Sequence, residues 1–229
     1  MMFHYRWHYA PDRAFAQTWI ATCRDPVMEE SKRQQFMKEF NDRQVGRMAL
    51  VGCTEQNRPI IEESYRFVLD TLDRHVRHLP FLLGSRPCLG DFGLYGQLKI
   101  LSVDPTPQGE MRARAPDLYC WLDRLDDASG VEGDWIAADA PLPVTLITLL
   151  RHMSVTYLPF LAANARAVQN GAPTFELELL ERPYSQAPFR YQAKCHDALC
   201  KKFAALPAAA RKKFDPVLED TGCLRWLAA

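Results

Sequence analysis

Apolar residues recur at steps of three and four along residues 26–79, and this period predicts amphipathic helices. The pattern breaks near residues 52–55, where Thr54 is a candidate N-cap for the second of two long helices. The apolar stripe of this second helix is formed by Ile60, Ile61, Tyr65, Val68, Leu69, Leu72 and Val76. Because neighbouring elements must cover such a stripe, the pattern predicts a helical bundle.

A short helix with almost no charge is predicted over residues 89–101, where Lys99 is the only basic residue. A helix this apolar is expected in the middle of a bundle. Residues 104–107 contain two prolines and predict a break in the chain. Pro116 then opens another helix, which carries Trp121 on its buried face.

The last third of the chain combines helices with one short strand. A long helix starts at residue 143 and ends at Asn170–Gly171, a pair that is typical of a helix C-terminus. Strict alternation of apolar and polar residues over 174–179 predicts a strand, with its turn at residues 181–184. Two closing helices are predicted after this turn.

The predicted fold is therefore mainly all-α and has two parts. Residues 1–140 are expected to form a helical domain. Residues 141–229 are expected to form a helical extension with a short β-hairpin and closing helices, packed on the same core. Hydrophobic residues make up 48% of the chain, which is enough to fill that core.

Charge and cysteine content narrow the class of protein. The chain has 28 basic and 28 acidic residues, a balance that favours neither a nucleic-acid nor a membrane partner. The apolar stretch at residues 142–150 is too short to span a bilayer. The seven cysteines are scattered without metal-ligand spacing, and His75 and His78 have no third ligand near them in sequence. We therefore predict reduced thiols, no metal site and a cytoplasmic location.

The most distinctive motif lies within residues 81–96. Cys88 is followed three positions later by Asp91, the layout of a capping box in which the acid reaches back to the free N–H groups of the first helical turn. Glycines then recur at steps of three, at Gly90, Gly93 and Gly96. Because these glycines leave one face of the helix bare, we expect a neighbouring helix to pack closely there.

Residues 81–96 resemble the "G-x-x-P-[S/T]-x-A-D-x-x-[L/F]" segment of glutathione transferase C-terminal domains, and residues 116–122 resemble the "P-x-[L/V]-x-x-W" helix that follows it in that family. Cys88 stands where the family has serine or threonine, and Gly90 stands where it has alanine. The resemblance covers roughly residues 7–125. It implies a glutathione transferase C-terminal-like helical bundle in which the capping box is structural.

In whole enzymes of this family, a thioredoxin-like domain supplies the catalytic tyrosine, serine or cysteine and the cis-proline that holds glutathione. This chain has no β-α-β pattern, and Tyr5 and Tyr9 are predicted to precede helices, so no catalytic residue is assigned. The resemblance implies the substrate-side half of a glutathione S-transferase-like protein, which would conjugate glutathione to a small apolar electrophile but would be inactive and bind no cofactor alone. The alternative is a non-catalytic protein–protein interaction module built on such a domain.

The start of the chain is dense in aromatic and basic side chains. In the family this region would lie beside the substrate cleft, so Tyr5, Arg6 and Trp7 are candidate substrate-binding residues. Simple packing of a helix start is the alternative. Without a thioredoxin-like domain, the surface near Phe3 and these residues, and on the helix at 90–101, would be bare. We therefore expect a homo-oligomer or a second polypeptide there.

Polar and aromatic side chains also cluster near the helix start predicted at residue 189. Helix N-termini attract anions, so Arg190 and Lys194 are candidates for an anionic pocket. In the alternative interpretation, Gln186 and Gln192 satisfy backbone groups where the hairpin meets the helix.

Overall fold

Helices form almost all of the regular structure in residues 1–228, the part of the chain that the computed structural model describes. One antiparallel hairpin of two strands is also present, so the predicted mainly helical class is confirmed. The chain divides into two compact units, with the boundary between Ala140 and Pro141. We refer to them as unit 1 and unit 2.

Unit 1 is helical. Its helices are α1 (Met2–His8), α2 (Ala10–Arg24), α3 (Glu30–Val45), α4 (Arg58–Val76), α5 (Leu89–Leu101), α6 (Pro105–Arg114) and α7 (Pro116–Asp126). The apolar stripe of α4 packs against α6 and α7, as its period requires. Tyr65 of α4 is fully buried, and its hydroxyl donates a hydrogen bond to the carbonyl of Pro107 at 2.8 Å. The core of unit 1 therefore lies around α4.

Two segments of unit 1 differ from the sequence prediction. No helix is predicted from the sequence before residue 26, whereas α1 and α2 both lie there. Tyr5 therefore lies inside α1 rather than before a helix. Residues 104–107 begin α6 instead of breaking the chain. Asp104 takes the N-cap position and Pro105 the first helical position, where a proline costs no hydrogen bond because that N–H has no partner in the helix.

α5 lies at the surface, so the prediction that it occupies the middle of the bundle is wrong. Its buried residues are Asp91, Leu98 and Leu101. In contrast, 87% of Leu89 is exposed. A Cβ atom placed on Gly93 or Gly96 would meet no atom within 4 Å. The tight packing expected at these two glycines is therefore wrong as well.

Unit 2 begins with two apolar helices, followed by the hairpin and the closing helices. Its elements are α8 (Val144–Val155), α9 (Tyr157–Gln169), β1 (Phe175–Leu179), β2 (Arg182–Gln186), α10 (Arg190–Ala204), α11 (Ala208–Asp220) and α12 (Leu224–Leu227). The single long helix predicted from residue 143 is interrupted at Thr156, whose φ of −126° and ψ of −76° are not helical. The predicted C-terminus is confirmed, because Asn170 is the C-cap and Gly171 adopts a φ of 64°.

The hairpin lies on α9. Its turn is formed by Leu180 and Glu181, which both have a positive φ, so the predicted turn at residues 181–184 is wrong beyond its first residue. Phe160 of α9 contacts the rings of Phe175 and Tyr184, with centroids 5.7 and 5.8 Å apart. A two-stranded hairpin is marginal alone, and these aromatic contacts supply the support that it needs.

Taken across the interruption at Thr156, Val144–Gln169 is long and apolar enough to cross a membrane. This segment has 26 residues, its most apolar 18-residue window has a mean hydropathy of 1.3, and 33% of that window is buried. The stretch of residues 142–150, which the sequence prediction judged too short for a bilayer, overlaps only the first part of this longer segment. Core helices of globular proteins meet the same criteria of length and composition, so the cytoplasmic location stays a prediction.

Candidate functional site

Arg6 forms a buried ion pair with Asp104. The Nε atom of Arg6 donates to both carboxylate oxygens of Asp104 at 3.0 Å, and the guanidinium lies 5.3 Å from the ring centroid of Trp19. Burial raises the pKa of the Asp104 carboxyl, although the hydrogen bond from Arg6 opposes this shift. The charge of Arg6 is thus compensated within the fold, where it connects α1 to the N-terminus of α6.

Two further buried aspartates bind the N-termini of helices other than their own. Asp12 of α2 accepts hydrogen bonds from the N–H of Thr106, at 2.8 Å, and from the hydroxyl of the same residue in the first turn of α6. Asp73 of α4 accepts from the N–H groups of Asp117 and Leu118, at 2.9 and 3.1 Å, where α7 begins. A carboxylate in this position satisfies free N–H groups and is stabilised by the helix dipole.

Glu62 of α4 lies at the centre of a polar network with α1 and α6. Its Oε1 atom accepts from the Tyr9 hydroxyl at 2.5 Å and from Nε2 of His4 at 3.1 Å. Its Oε2 atom accepts from Arg66, which also donates to Glu110, both at 3.2 Å. Burial alone would raise the pKa of Glu62, but the hydrogen bonds from Tyr9 and His4 outweigh it and leave this pKa below its ordinary value. Glu62 is therefore ionised near neutral pH.

His4 is a buried, neutral member of this network. Because a carboxylate only accepts, Nε2 carries the hydrogen shared with Glu62, and Nδ1 has no hydrogen-bond partner among residues 1–228. The ring stacks on His8 with centroids 4.9 Å apart, and burial lowers the pKa of His4. Within the described chain, neither ring nitrogen is hydrogen-bonded to a hydroxyl or thiol nucleophile, so the geometry favours a structural role over nucleophilic catalysis.

Asp91 connects the loop before α5 to the helix itself. Its Oδ2 atom accepts from the N–H of Cys88 and its Oδ1 atom from the N–H of Leu82, both at 2.8 Å. The indole N–H of Trp121, in α7, donates to the carbonyl of Pro80 at 2.8 Å, at the start of the same loop. The loop between α4 and α5 is thus held at both ends by side chains of the two motif segments.

A cavity of about 10 Å³ lies beside Asp91, between α4, α5 and α7. Its size suits at most one water molecule and is far below that of a substrate pocket. His75 borders this cavity, and its Nε2 atom is 3.1 Å from the carbonyl of Phe81. Burial lowers the pKa of His75. The cavity therefore belongs to the packing of the loop rather than to a binding site.

Four of the thiols have pKa values shifted away from nucleophilic reactivity. All seven cysteines are free, and burial raises the pKa of Cys53, Cys88, Cys200 and Cys223. Reactive thiols need the opposite shift, because the thiolate is the nucleophile. Over residues 1–228, no group of three or more His, Cys, Asp or Glu side chains has the arrangement to hold a metal ion.

In unit 2, Asn164 of α9 clamps the residue that precedes α10. The side chain is fully buried, accepts from the N–H of Phe189 at 2.7 Å and donates to the carbonyl of that residue at 2.9 Å. Gln186 also donates to a backbone carbonyl, at 3.1 Å, as in the packing interpretation of this region. Arg190 and Lys194 are exposed, and an anionic pocket formed by them stays a prediction.

Tyr5, Arg6 and Trp7 do not line an open cleft. Tyr5 and Trp7 are 0% and 2% exposed, so the expectation of bare surface around them is wrong. The reason is α2, which the sequence prediction lacked and which packs on α1. A role for these residues in substrate binding stays a prediction, and their burial favours the packing alternative.

The buried carboxylates were not predicted from the sequence, although some of them carry a local signal. Asp73 lies four residues after Leu69 and three before Val76, on the apolar face of its helix, where an acid needs a buried partner. Asp104, directly before a proline, has the position of an N-cap. Their partners have no such signal, since Arg6 and Asp104 are 98 positions apart.

No protein-family model, no curated protein and no solved structure matches this chain. The interpretation of the site therefore depends on the geometry above and on the resemblance carried by residues 81–96 and 116–122.

Proposed function

We propose that unit 1 is a helical domain of the glutathione transferase type, which acts on the substrate side and depends on a thioredoxin-like segment for thiol chemistry. The contact between the two segments that carry the resemblance is the main support. Trp121 of the second segment donates to Pro80, immediately before the first, while Asp91 holds Leu82 and the first turn of α5. Both segments thus help to hold the loop between α4 and α5, as the structural role implied by the resemblance requires.

The polar network of unit 1 supports the proposal that this unit depends on a thioredoxin-like segment for thiol chemistry. Stabilising a thiolate requires a free donor, and the Tyr9 hydroxyl already donates to Glu62. The Tyr5 hydroxyl points to Glu110 at 3.5 Å. Burial raises the pKa of Tyr5 and raises that of Tyr9 to about 12. These tyrosines are thus committed to carboxylates, and we expect the chain alone to lack conjugating activity.

The test compares the chain with a longer form. Where the reading frame upstream of Met1 encodes a thioredoxin-like segment, the longer protein should conjugate glutathione to an apolar electrophile such as a chlorodinitrobenzene. Residues 1–229 alone should show neither conjugation nor glutathione binding by calorimetry. Micromolar binding of glutathione by this shorter form would overturn the proposed dependence on a thioredoxin-like segment. A folded longer form without activity would overturn the proposal that the protein is a conjugating enzyme.

A non-catalytic interaction module is the second candidate, favoured by the exposed apolar side chains of α5. Leu89, Phe92 and Ile100 are 87%, 46% and 40% exposed. Apolar side chains grouped on one helix face are typical of surfaces that another protein covers. Stable complexes formed by a longer chain that conjugates no glutathione would favour this candidate over the first.

A further inference from the structure

The exposed side of α5 forms a continuous apolar face. We define the α5 face by the apolar positions on the outward side of the helix, which are Leu89, Phe92, Gly93, Gly96 and Ile100; all are exposed except Gly96, which is half-buried. Phe92 and Gly93 are adjacent, and all other successive members are three or four residues apart. The five positions therefore lie on one side of the helix. The face is uncharged and opposite to the buried Asp91 and Leu98.

The middle of the α5 face is a shallow groove. Gly93 and Gly96 have no atom within 4 Å of a Cβ position, while the large side chains of Leu89 and Ile100 stand at either end. Helices approach one another most closely where one of them lacks side chains. The groove therefore has the shape to receive one helix, which would bury the exposed leucine, phenylalanine and isoleucine.

One edge of the α5 face is acidic. Lys99 of α5 lies 3.6 Å from both Asp123 and Asp126 of α7, whose side chains are 73% and 55% exposed, and the Tyr95 hydroxyl donates to Asp126. Two carboxylates against one ammonium leave negative charge at this edge. The charge continues along the chain, because residues 117–139 contain seven acidic residues and one basic residue. We call Asp123 and Asp126 the acidic rim.

We propose that the α5 face binds an amphipathic helix of a partner protein, whose apolar stripe enters the glycine groove and whose flanking lysine or arginine side chains meet the acidic rim. This inference rests on unit 1 acting as part of a larger assembly, as proposed above, but not on glutathione chemistry. The acidic rim distinguishes this occupant from two others. A second copy would present the same negative edge, and an anionic lipid surface would be repelled.

The test uses two synthetic helical peptides of about 20 residues with the same leucine and alanine stripe. One peptide has lysines beside the stripe, and the other has glutamates there. Fluorescence anisotropy with residues 1–229 should show saturable binding of the lysine peptide, weakened by salt, and no binding of the glutamate peptide. The variant Gly93→Gln with Gly96→Gln, which fills open space and favours the helix, should weaken binding at least about tenfold.

Matched variants separate the two parts of the proposal. Asp123→Asn with Asp126→Asn should weaken binding of the lysine peptide and reduce its salt dependence. Gly109→Gln is the control, because Gly109 of α6 is also a helical glycine with no atom within 4 Å of its Cβ position. This control should bind the peptide as the parent chain does.

Several outcomes would overturn the proposal. Equal binding of the two peptides would contradict the charge argument, and absence of binding at about 1 mM peptide would contradict the groove. Self-association that the two glycine substitutions abolish would identify a second copy as the occupant. Binding to vesicles of phosphatidylcholine and phosphatidylserine through the same glycines would identify a lipid surface. Glutathione conjugation by a longer chain is measured separately, so either proposal can fail without the other.

Discussion

Units 1 and 2 bury different kinds of polar groups. Unit 1 buries four aspartates, each held by a partner on a different element or loop: Asp12, Asp73, Asp91 and Asp104. The described residues of unit 2 bury no acidic or basic side chain, and their buried polar groups are neutral. Asn164 does there what Asp12 and Asp73 do in unit 1, because it satisfies backbone groups at the start of another helix, α10.

This difference shows two ways to begin a helix that lacks a capping side chain of its own. In unit 1, carboxylates of α2 and α4 bind free N–H groups where α6 and α7 begin, so these two helix starts depend on tertiary packing. In unit 2 the neutral amide of Asn164 satisfies the backbone groups before α10, and an amide needs no counter-charge. We therefore expect loss of a single partner to cost more in unit 1, and acid to weaken unit 1 first.

The largest effect is expected from Arg6→Met. This change leaves Asp104 buried without its positive partner and should lower the free energy of unfolding by about 3–5 kcal/mol. Urea denaturation followed by tryptophan fluorescence measures it, because four of the five tryptophans, Trp7, Trp19, Trp121 and Trp135, belong to unit 1. Arg6→Met combined with Asp104→Asn should recover much of the loss. Equal stability of the single and double variants would contradict the ion-pair argument.

Asp91→Ala should have the next largest effect. It removes two charge-assisted hydrogen bonds, to the N–H groups of Leu82 and Cys88, and should cost about 2–4 kcal/mol. Thermal unfolding by circular dichroism measures the loss. Asp117→Ala is the control, because the Asp117 side chain is 53% exposed and its loss should matter little. The assigned role of Asp91 would be wrong if both variants melted at the same temperature.

In unit 2, Asn164→Ala should cost about 1–2 kcal/mol, since two neutral hydrogen bonds to Phe189 are lost. Hydrogen exchange resolved by peptide should show faster exchange at the start of α10 and no change in unit 1. Thr148→Ala, on the exposed side of α8, is the matched control. Faster exchange throughout unit 1 in Asn164→Ala would contradict a role of Asn164 that is confined to the start of α10.

Acid should weaken unit 1 in two steps. The pKa of buried His4 is lowered from 6.5. As the pH drops below about that value, the unfolded chain protonates this histidine before the folded chain does, and stability falls. The pKa of Glu62 is lowered from 4.5, so a second loss follows as the pH falls below 4.5. His4→Gln should reduce the first step, measured as unfolding free energy against pH. An unchanged pH profile would exclude His4 as its source.

Local pattern predicted the elements whose ends and faces are local. The stripe of α4, the proline start of α7 and the Asn170–Gly171 stop of α9 all depend on residues within a few positions. The same reasoning misread residues 104–107 as a break, because the carboxylate that completes the start of α6 is Asp12, 94 positions earlier. It also misread α5, since a nearly uncharged helix is equally compatible with a core and with an exposed docking face.

The candidate site divides in the same way. The sequence by itself determined the helical class, the capping relation of Cys88 and Asp91 along one helix turn, and the aromatic density of α1. Only the tertiary structure decided that Tyr5 and Trp7 are buried, that Arg6 binds Asp104 and that Glu62 gathers His4, Tyr9 and Arg66. The reason is physical: helix periodicity shows which side of an element is apolar, whereas the partner of a buried charge depends on which distant helix covers it.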